Sequence, residues 1–296
     1  MRLIESIRKY LRERSYYLGI IDYDPFKESF SFSDVKWINL GKYKHGWFAD
    51  PFLYKITDKE IFILAEEFEY HNEKGRLVYL TVDRAKLELT KIDVMLELPT
   101  HLSFPIYIRE NEKTYVYPEN HESGSLKIYE FDEHSKSLVN PVTIINEPLL
   151  DTQILKLDGK YYAMGVIYSN NGQNHTRTLM VFCSDSLFGP YAHFSTLENL
   201  YCEERGAGQI FTDGERIIRP AQCCEGDYGR AVIFYEMQFS NSRFSENELK
   251  RIKPITAKRY GLGLHTYNRL GDVAIIDGNE YRHYLPARIV SKITGR

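Results

Sequence analysis

One loose unit recurs five times along this chain: a short apolar strand, a polar turn, then a second aromatic or aliphatic strand. The first copy opens at Ala49-Asp50-Pro51, turns at Thr57–Glu60 and returns through Ile61–Glu67. The second runs from Phe104 through Glu110–Lys113 to Thr114–Glu119, and the third from Asp151 through Asp158–Lys160 to Tyr161–Met164. The fourth runs from Ala207 through Thr212–Glu215 to Arg216–Pro220. A degenerate fifth runs from His265 through Gly271-Asp272 to Val273–Gly278. The anchors Asp50, Phe104, Asp151, Ala207 and His265 stand 54, 47, 56 and 58 residues apart. Four-stranded propeller blades repeat every ~40–50 residues, so these spacings predict an all-β, five-bladed β-propeller with modest insertions. The Asp-Gly pairs at 158–159 and 213–214 are hairpin turn signals, and each unit leaves room for two outer strands such as 76–83 or 126–131.

Five such blades use most of the 296 residues. The expected organisation is therefore a single propeller domain over 16–296, preceded by a short amphipathic helix over 1–15. In that helix Leu3, Ile4, Ile7 and Leu11 share a face, with arginines mostly elsewhere. It would pack on the domain or touch an anionic membrane surface. Only 32 residues run from His265 to the end, short for a blade, so the strand-like Tyr16–Tyr23 is expected to close the ring and remove its open edge. Ser245–Lys253 reads as a short surface helix with a serine N-cap. The 23 Tyr and 16 Phe suit pleated, half-buried surfaces.

Thirty-eight basic against 41 acidic residues give a net charge of −3, which argues against a nucleic-acid partner. No apolar run approaches the ~18 residues of a membrane span, and the charged opening MRLIESIRKYLRERS is no secretory signal. Cys183, Cys202, Cys223 and Cys224 form no CxxC pair and read as reduced thiols, which points to a cytoplasmic protein. Cys223-Cys224 beside Gln222 is either a nucleophile site or, more simply, a buried and an exposed strand residue side by side.

In a propeller the inner strand of every blade starts at the same channel mouth, so residues about 50 positions apart become neighbours. Asp50 and Asp151 hold equivalent starts. Either one alone would read as a turn cap, but the pair points to a site. Asp50 follows the aromatic stretch Trp47-Phe48-Ala49, where an ionised carboxylate needs a reason, and Pro51 biases it away from helical geometry. Glu66, Glu67 and Glu119 end second strands; of the adjacent pair, at most one faces the channel. Arg205 and Arg219 flank the fourth unit, either as structural ion pairs or as a bidentate grip on an anionic sugar. His101, Ser103, Gln222 and His265 are further polar residues at blade ends. The nine histidines form no metal motif. No cofactor is called for, though converging carboxylates and carbonyls leave room for a structural cation in the channel. Carboxylates, arginines and tyrosines around a funnel suit an oligosaccharide or glycoconjugate partner, and paired carboxylates are the equipment of glycosidic cleavage.

The ordered run FADPF, EEF, HLSFP, YPEN, LLDTQ, FGPY, ERGAG, RPAQ and YG resembles the propeller domain at the N-terminus of glucosamine inositolphosphorylceramide transferases. The likeness extends from about Leu18 to Met237, and more loosely to Asp277. That domain is in turn similar to the propellers of family-43-type glycoside hydrolases and invertase-like enzymes. The hydrolase likeness implies that Asp50 is the base (the nucleophile in the invertase branch) and that Asp151 tunes the acid and orients substrate. A glutamate opening the fourth blade would be the general acid. Here the chain departs: Glu203-Glu204-Arg205-Gly206 places Arg205 at that position. Losing a general acid forfeits roughly 10²–10⁴-fold in rate. Three readings follow. In the first, a glycoside hydrolase-like enzyme uses Glu119 or Glu67 as acid, with His101, Ser103, Arg205, Arg219, Gln222, His265 and Trp47 binding substrate. In the second, a non-catalytic glycan-binding module serves polysaccharide or glycolipid biosynthesis. In the third, the polar ring is purely structural.

Overall fold

A computed structural model of the chain describes residues 12–170, 175–198, 205–240 and 243–283. The chain enters through β1 (Arg12–Ile21) and the two-residue β2 (Lys36–Trp37). Four consecutive antiparallel blades follow. The first is β3 (Gly46–Ile56), β4 (Glu60–Glu69), β5 (Lys74–Asp83) and β6 (Glu88–Leu96). The second is β7 (Tyr107–Glu110), β8 (Lys113–Val116), β9 (Leu126–Asp132) and β10 (Ser137–Ile145). The third is β11 (Leu150–Leu157), β12 (Lys160–Asn170), β13 (His175–Ser184) and β14 (Ala192–Glu198). The fourth is β15 (Phe211–Asp213), β16 (Arg216–Cys223), β17 (Ala231–Ser240) and β18 (Arg243–Ile252). The last sheet has the order β19-β20-β1-β2, in which β19 (Tyr267–Leu270) and β20 (Val273–His283) come from the far end of the chain.

Ring closure is as the short final unit demanded. Strand β1 pairs with β20 from Arg12↔His283 to Ile21↔Ala274, so one continuous ladder ties the two ends together. Each of the five expected hairpins is present. Of the expected helix over 1–15, residues 1–11 lie outside the described residues, and Arg12–Ser15 belong to β1 instead. Ser245–Lys253 is corrected too. It lies almost wholly in β18, an outer strand paired to β17 with Ser245 opposite Gln238. An outer strand has one solvated face, which accounts for the charges that mimicked a helix; Phe244 and Ile252 supply its buried contacts.

Apolar faces of successive blades meet around the ring. Phe52 packs edge-on against Phe104 and Tyr54 against Tyr107, joining the first two blades. Met164 and Val181 cluster with Met237 and Phe244 between the third and fourth. Phe234 meets Tyr267 between the fourth and the closing blade. Leu18, Ile20 and Ile275 join Phe48, Leu53 and Ile63 where the closing blade meets the first. Each fully buried Leu, Ile or Phe contributes about 1.5–3 kcal/mol of transfer free energy. Polar side chains on the inner strands lace the blades as well. Tyr107 Oη donates to Leu53 O at 2.8 Å, Gln153 Nε2 to Gly208 O at 2.6 Å, and Asn268 Nδ2 to Pro51 O at 2.7 Å.

Candidate functional site

The inner strands begin with a shared irregularity. The ladder of β3 and β4 skips between Ala49 and Phe52, and that of β11 and β12 skips between Leu150 and Gln153. Asp50 and Asp151 sit in these bulges with φ of 48° and 44°, and Phe104 takes φ 48° in the second blade. A bulge re-aims a side chain, and such non-glycine conformations cost on the order of 1–3 kcal/mol each. The channel mouth is built from these re-aimed positions.

Five carboxylates converge there. Asp50, Glu66, Glu119, Asp151 and Asp277 are each at most 5 % exposed. Asp50 has both oxygens engaged: Oδ1 accepts from Thr266 Oγ1 at 2.7 Å and Oδ2 from Phe104 N at 3.1 Å. Asp277 accepts from the backbone N–H groups of His265, Thr266 and Asp50 at 3.0, 3.0 and 3.3 Å. His265 Nδ1 stands 2.5 Å from Asp277 Oδ2 and 3.8 Å from Asp50 Oδ1. Burial opposes the charge on His265, but Asp277 and then Asp50 overcome it and hold its pKa up at about 9. Burial likewise pushes Asp277 upward, and the imidazolium more than reverses this, leaving it below the ordinary range. Asp50, His265 and Asp277 offer three ligand atoms within 4.8 Å of one another. Those atoms already serve each other, and the imidazolium supplies the positive charge that a cation would bring.

On the other side, Asp151 Oδ2 accepts from Arg205 Nε and from Gln222 Nε2, both at 2.7 Å. Burial raises Asp151 to about 6 despite the guanidinium. Glu119 accepts from Ser103 Oγ at 3.0 Å and from His121 N at 3.0 Å, with His121 Nδ1 at 2.6 Å. Burial works against its charge, but His121 and Arg205 prevail and keep its pKa low. Glu66 is the exception. Burial, then the neighbouring Asp50, Glu119, Asp151 and Asp277, drive its pKa well above the usual range. Its Oε1 has no hydrogen-bond partner among the described residues, and His101 Nε2 lies 3.3 Å away without hydrogen-bond geometry. At the rim Tyr16 stacks on His265, Tyr228 meets it edge-on, and Arg205 lies over the Tyr228 ring at 5.7 Å.

Of the sequence-chosen residues, Asp50, Asp151, Glu119, His101, Ser103, Arg205, Gln222 and His265 come together at this mouth. Glu67 does not. It faces the other side of β4, accepting from Tyr43 Oη at 2.6 Å and Arg76 Nε at 2.8 Å, and Glu66 takes the channel position. Arg219 is also displaced. It is fully buried, donating from Nε and Nη2 to Glu246 of β18 at 2.8 and 2.6 Å and from Nη1 to Gln153 Oε1 at 3.3 Å. Trp47 stands beside the mouth, stacked on Phe68 and touching Tyr16. Glu203 and Glu204 lie outside the described residues. Sequence left the channel position open between Glu66 and Glu67, and Asp277, Thr266, His121, Tyr16 and Tyr228 were not singled out as channel residues. An Asp directly after the apolar run Val273–Ile276 was a usable signal for Asp277.

Fold and site together define a five-bladed β-propeller whose channel mouth gathers five buried carboxylates beside Arg205 and His265. Two solved structures share this fold: a GH43 β-1,3-galactosidase with galactodeoxynojirimycin (TM-score 0.52, 10 % identity, 74 % of this chain and 83 % of that one) and the exo-β-1,3-galactanase of Clostridium thermocellum (TM-score 0.52, 13 % identity, 68 % and 49 %). The chain belongs to the family described as glucosamine inositolphosphorylceramide transferase 1, N-terminal, whose model matches residues 37–268. It is 24 % identical over 219 residues to glucosamine inositolphosphorylceramide transferase 1 of Oryza sativa subsp. japonica, covering 72 % of this chain and 28 % of that protein. It is 24 % identical over 208 residues to the Arabidopsis thaliana protein of the same name, covering 68 % and 27 %. The chain thus spans little more than a quarter of the length of these relatives.

Proposed function

We propose that this propeller recognises a glycan at its channel mouth without cleaving it, as a module serving glycolipid or polysaccharide assembly. One observation carries the reading. Arg205 stands where the hydrolase likeness calls for a general acid, and it clamps Asp151 at 2.7 Å. A guanidinium cannot donate a proton to a leaving oxygen at neutral pH. Asp50, the base of the hydrolase scheme, has both oxygens occupied by Thr266 and Phe104. What remains is a binding surface: Arg205, His101 and His121 as donors, carboxylates and Gln222 Oε1 as acceptors for sugar hydroxyls, and Tyr228 as a stacking face. The relatives' name joins a sugar donor to a glycosylated-lipid class, which supports a glycoconjugate as the partner.

Glu66 favours a second reading. A buried carboxyl whose pKa is driven upward, beside Asp50 in the paired strand, has the properties of a general acid. Hydrolysis would then use Glu66 as acid in place of Glu119 or Glu67, with Asp50 as base and Asp151 orienting substrate. A glycan array followed by product analysis of each hit separates the two. Recognition predicts saturable binding, lost in Asp151→Asn and Arg205→Ala, with no new reducing ends. Released sugar that disappears in Glu66→Gln would establish hydrolysis instead.

A further inference from the structure

A cleft of about 760 Å³ opens between the closing blade and the first blade, beside the channel mouth. Its walls are aromatic. Tyr260 stacks on Tyr17 with ring centres 3.8 Å apart and meets Trp37 edge-on at 4.8 Å, while Tyr16 meets Trp47 at 4.9 Å. Its charged lining residues are Lys44, Arg259 and Arg282, with no carboxylate among them, in a chain whose net charge is −3. Arg259 lies over the Tyr260 ring at 4.6 Å. Arg282 lies over Tyr17 at 5.0 Å and pairs with Glu280 at 3.3 Å. Two donors in this lining are buried without a hydrogen-bond partner among the described residues: Trp47 Nε1 and the hydroxyl of Tyr17, a residue 7 % exposed. Unmet buried donors are costly, and native structures keep few of them without a reason. Tyr16 joins the cleft to the channel, since its ring stacks on His265.

From these features we infer that the cleft is a binding subsite for an anionic sugar ring, a hexose carrying a phosphate or a carboxylate. The ring's apolar face would lie on the aromatic wall, its anion would meet the three cations, and its oxygens would accept from Trp47 Nε1 and Tyr17 Oη. The sugar identity rests on the glycan reading above; the anion preference rests on the cleft alone.

Trp37 and Trp47 are the chain's two tryptophans and both line the cleft, so intrinsic fluorescence reports on it directly. Titrating the full chain with glucose 6-phosphate and with glucuronate is expected to change tryptophan emission saturably. Glucose and inorganic phosphate each carry half of the recognised chemistry and should bind at least ~10-fold more weakly, a difference of about 1.4 kcal/mol. The double variant Lys44→Gln/Arg259→Gln, whose fold is checked by circular dichroism, should weaken both anionic sugars about tenfold and flatten their salt dependence. The proposal is overturned if neither sugar gives a saturable change up to ~20 mM, an upper bound chosen for weak sites. It is also overturned if glucose or phosphate alone binds equally well, or if the double variant binds as the wild type does. The two sites are scored separately, the channel by array binding in Asp151→Asn and the cleft by fluorescence in the double variant. A failed array with a positive titration removes the channel reading and leaves an anionic-sugar cleft. The reverse result removes the cleft.

Discussion

Stripping a carboxyl of water and setting it among other carboxylates raises its pKa, and Glu66 is such a group. Its folded pKa lies above the ordinary 4.5, so folding takes up a proton once the pH exceeds the unfolded value. That contribution to stability is complete below the unfolded pKa and is lost as pH rises through the folded one. Glu66→Gln should therefore melt at a higher temperature than wild type at pH 8 and show a smaller gain at pH 4. An equal gain at both would show that Glu66 is ionised in the fold. His265 adds a slope of the same sign, since its pKa rises from 6.5 to about 9 and its stabilisation fades across that window. Arg205 is the opposite case, a buried cation with a named partner. Arg205→Ala leaves buried Asp151 with the Gln222 hydrogen bond but no counter-charge and should cost about 3–5 kcal/mol, seen as a large fall in Tm, while Arg205→Lys should recover part of it. Sequence alone could not separate Glu66 from Glu67 because adjacent strand residues differ only in face. The cross-strand pairing of Glu67 with Arg76 decides it, and that register becomes visible only once β4 and β5 are aligned.

At the scale of strands, the site depends on close backbone approach. Gly75 at the start of β5 passes beneath the mouth. A Cβ there would lie 2.4 Å from Leu102 O and 2.6 Å from Glu66 Oε1. Gly75→Ala should displace Glu66 and His101 together, lowering Tm and array binding in parallel; unchanged binding would place these two side chains outside the recognition surface. The inner hairpins were legible because Asp-Gly turns and apolar alternation are local signals. Strand β18 was not, since its outward face carries Ser, Glu and Lys at spacings a helix also tolerates, and pairing with β17 overrides that local preference. Arg219 was misplaced for a related reason. Its partner Glu246 lies two strands away in the same blade, a contact no local pattern announces.

At the scale of the molecule, the ring stands on the pairing of β1 with β20. Leu18, 1 % exposed, anchors β1 against the first blade. Leu18→Ala should cost about 2–5 kcal/mol through the lost contacts and the cavity left behind, measured by denaturant unfolding. A cost below about 0.5 kcal/mol, the range of surface substitutions, would mean that closure contributes little. The ring also turns Asp50, Glu119, Asp151, Arg205 and His265, scattered over more than 200 residues, into neighbours. The blade period carried that much of the site, whereas the closing-blade residue Asp277 lay in its most degenerate copy. On the proposed function, this mouth holds a glycan and leaves it whole. The most direct test is mass spectrometry of an array-positive oligosaccharide recovered after prolonged incubation with the chain. An intact oligosaccharide, bound by wild type and released by Arg205→Ala, is the predicted result; a shortened one, produced by wild type and spared by Glu66→Gln, would contradict it.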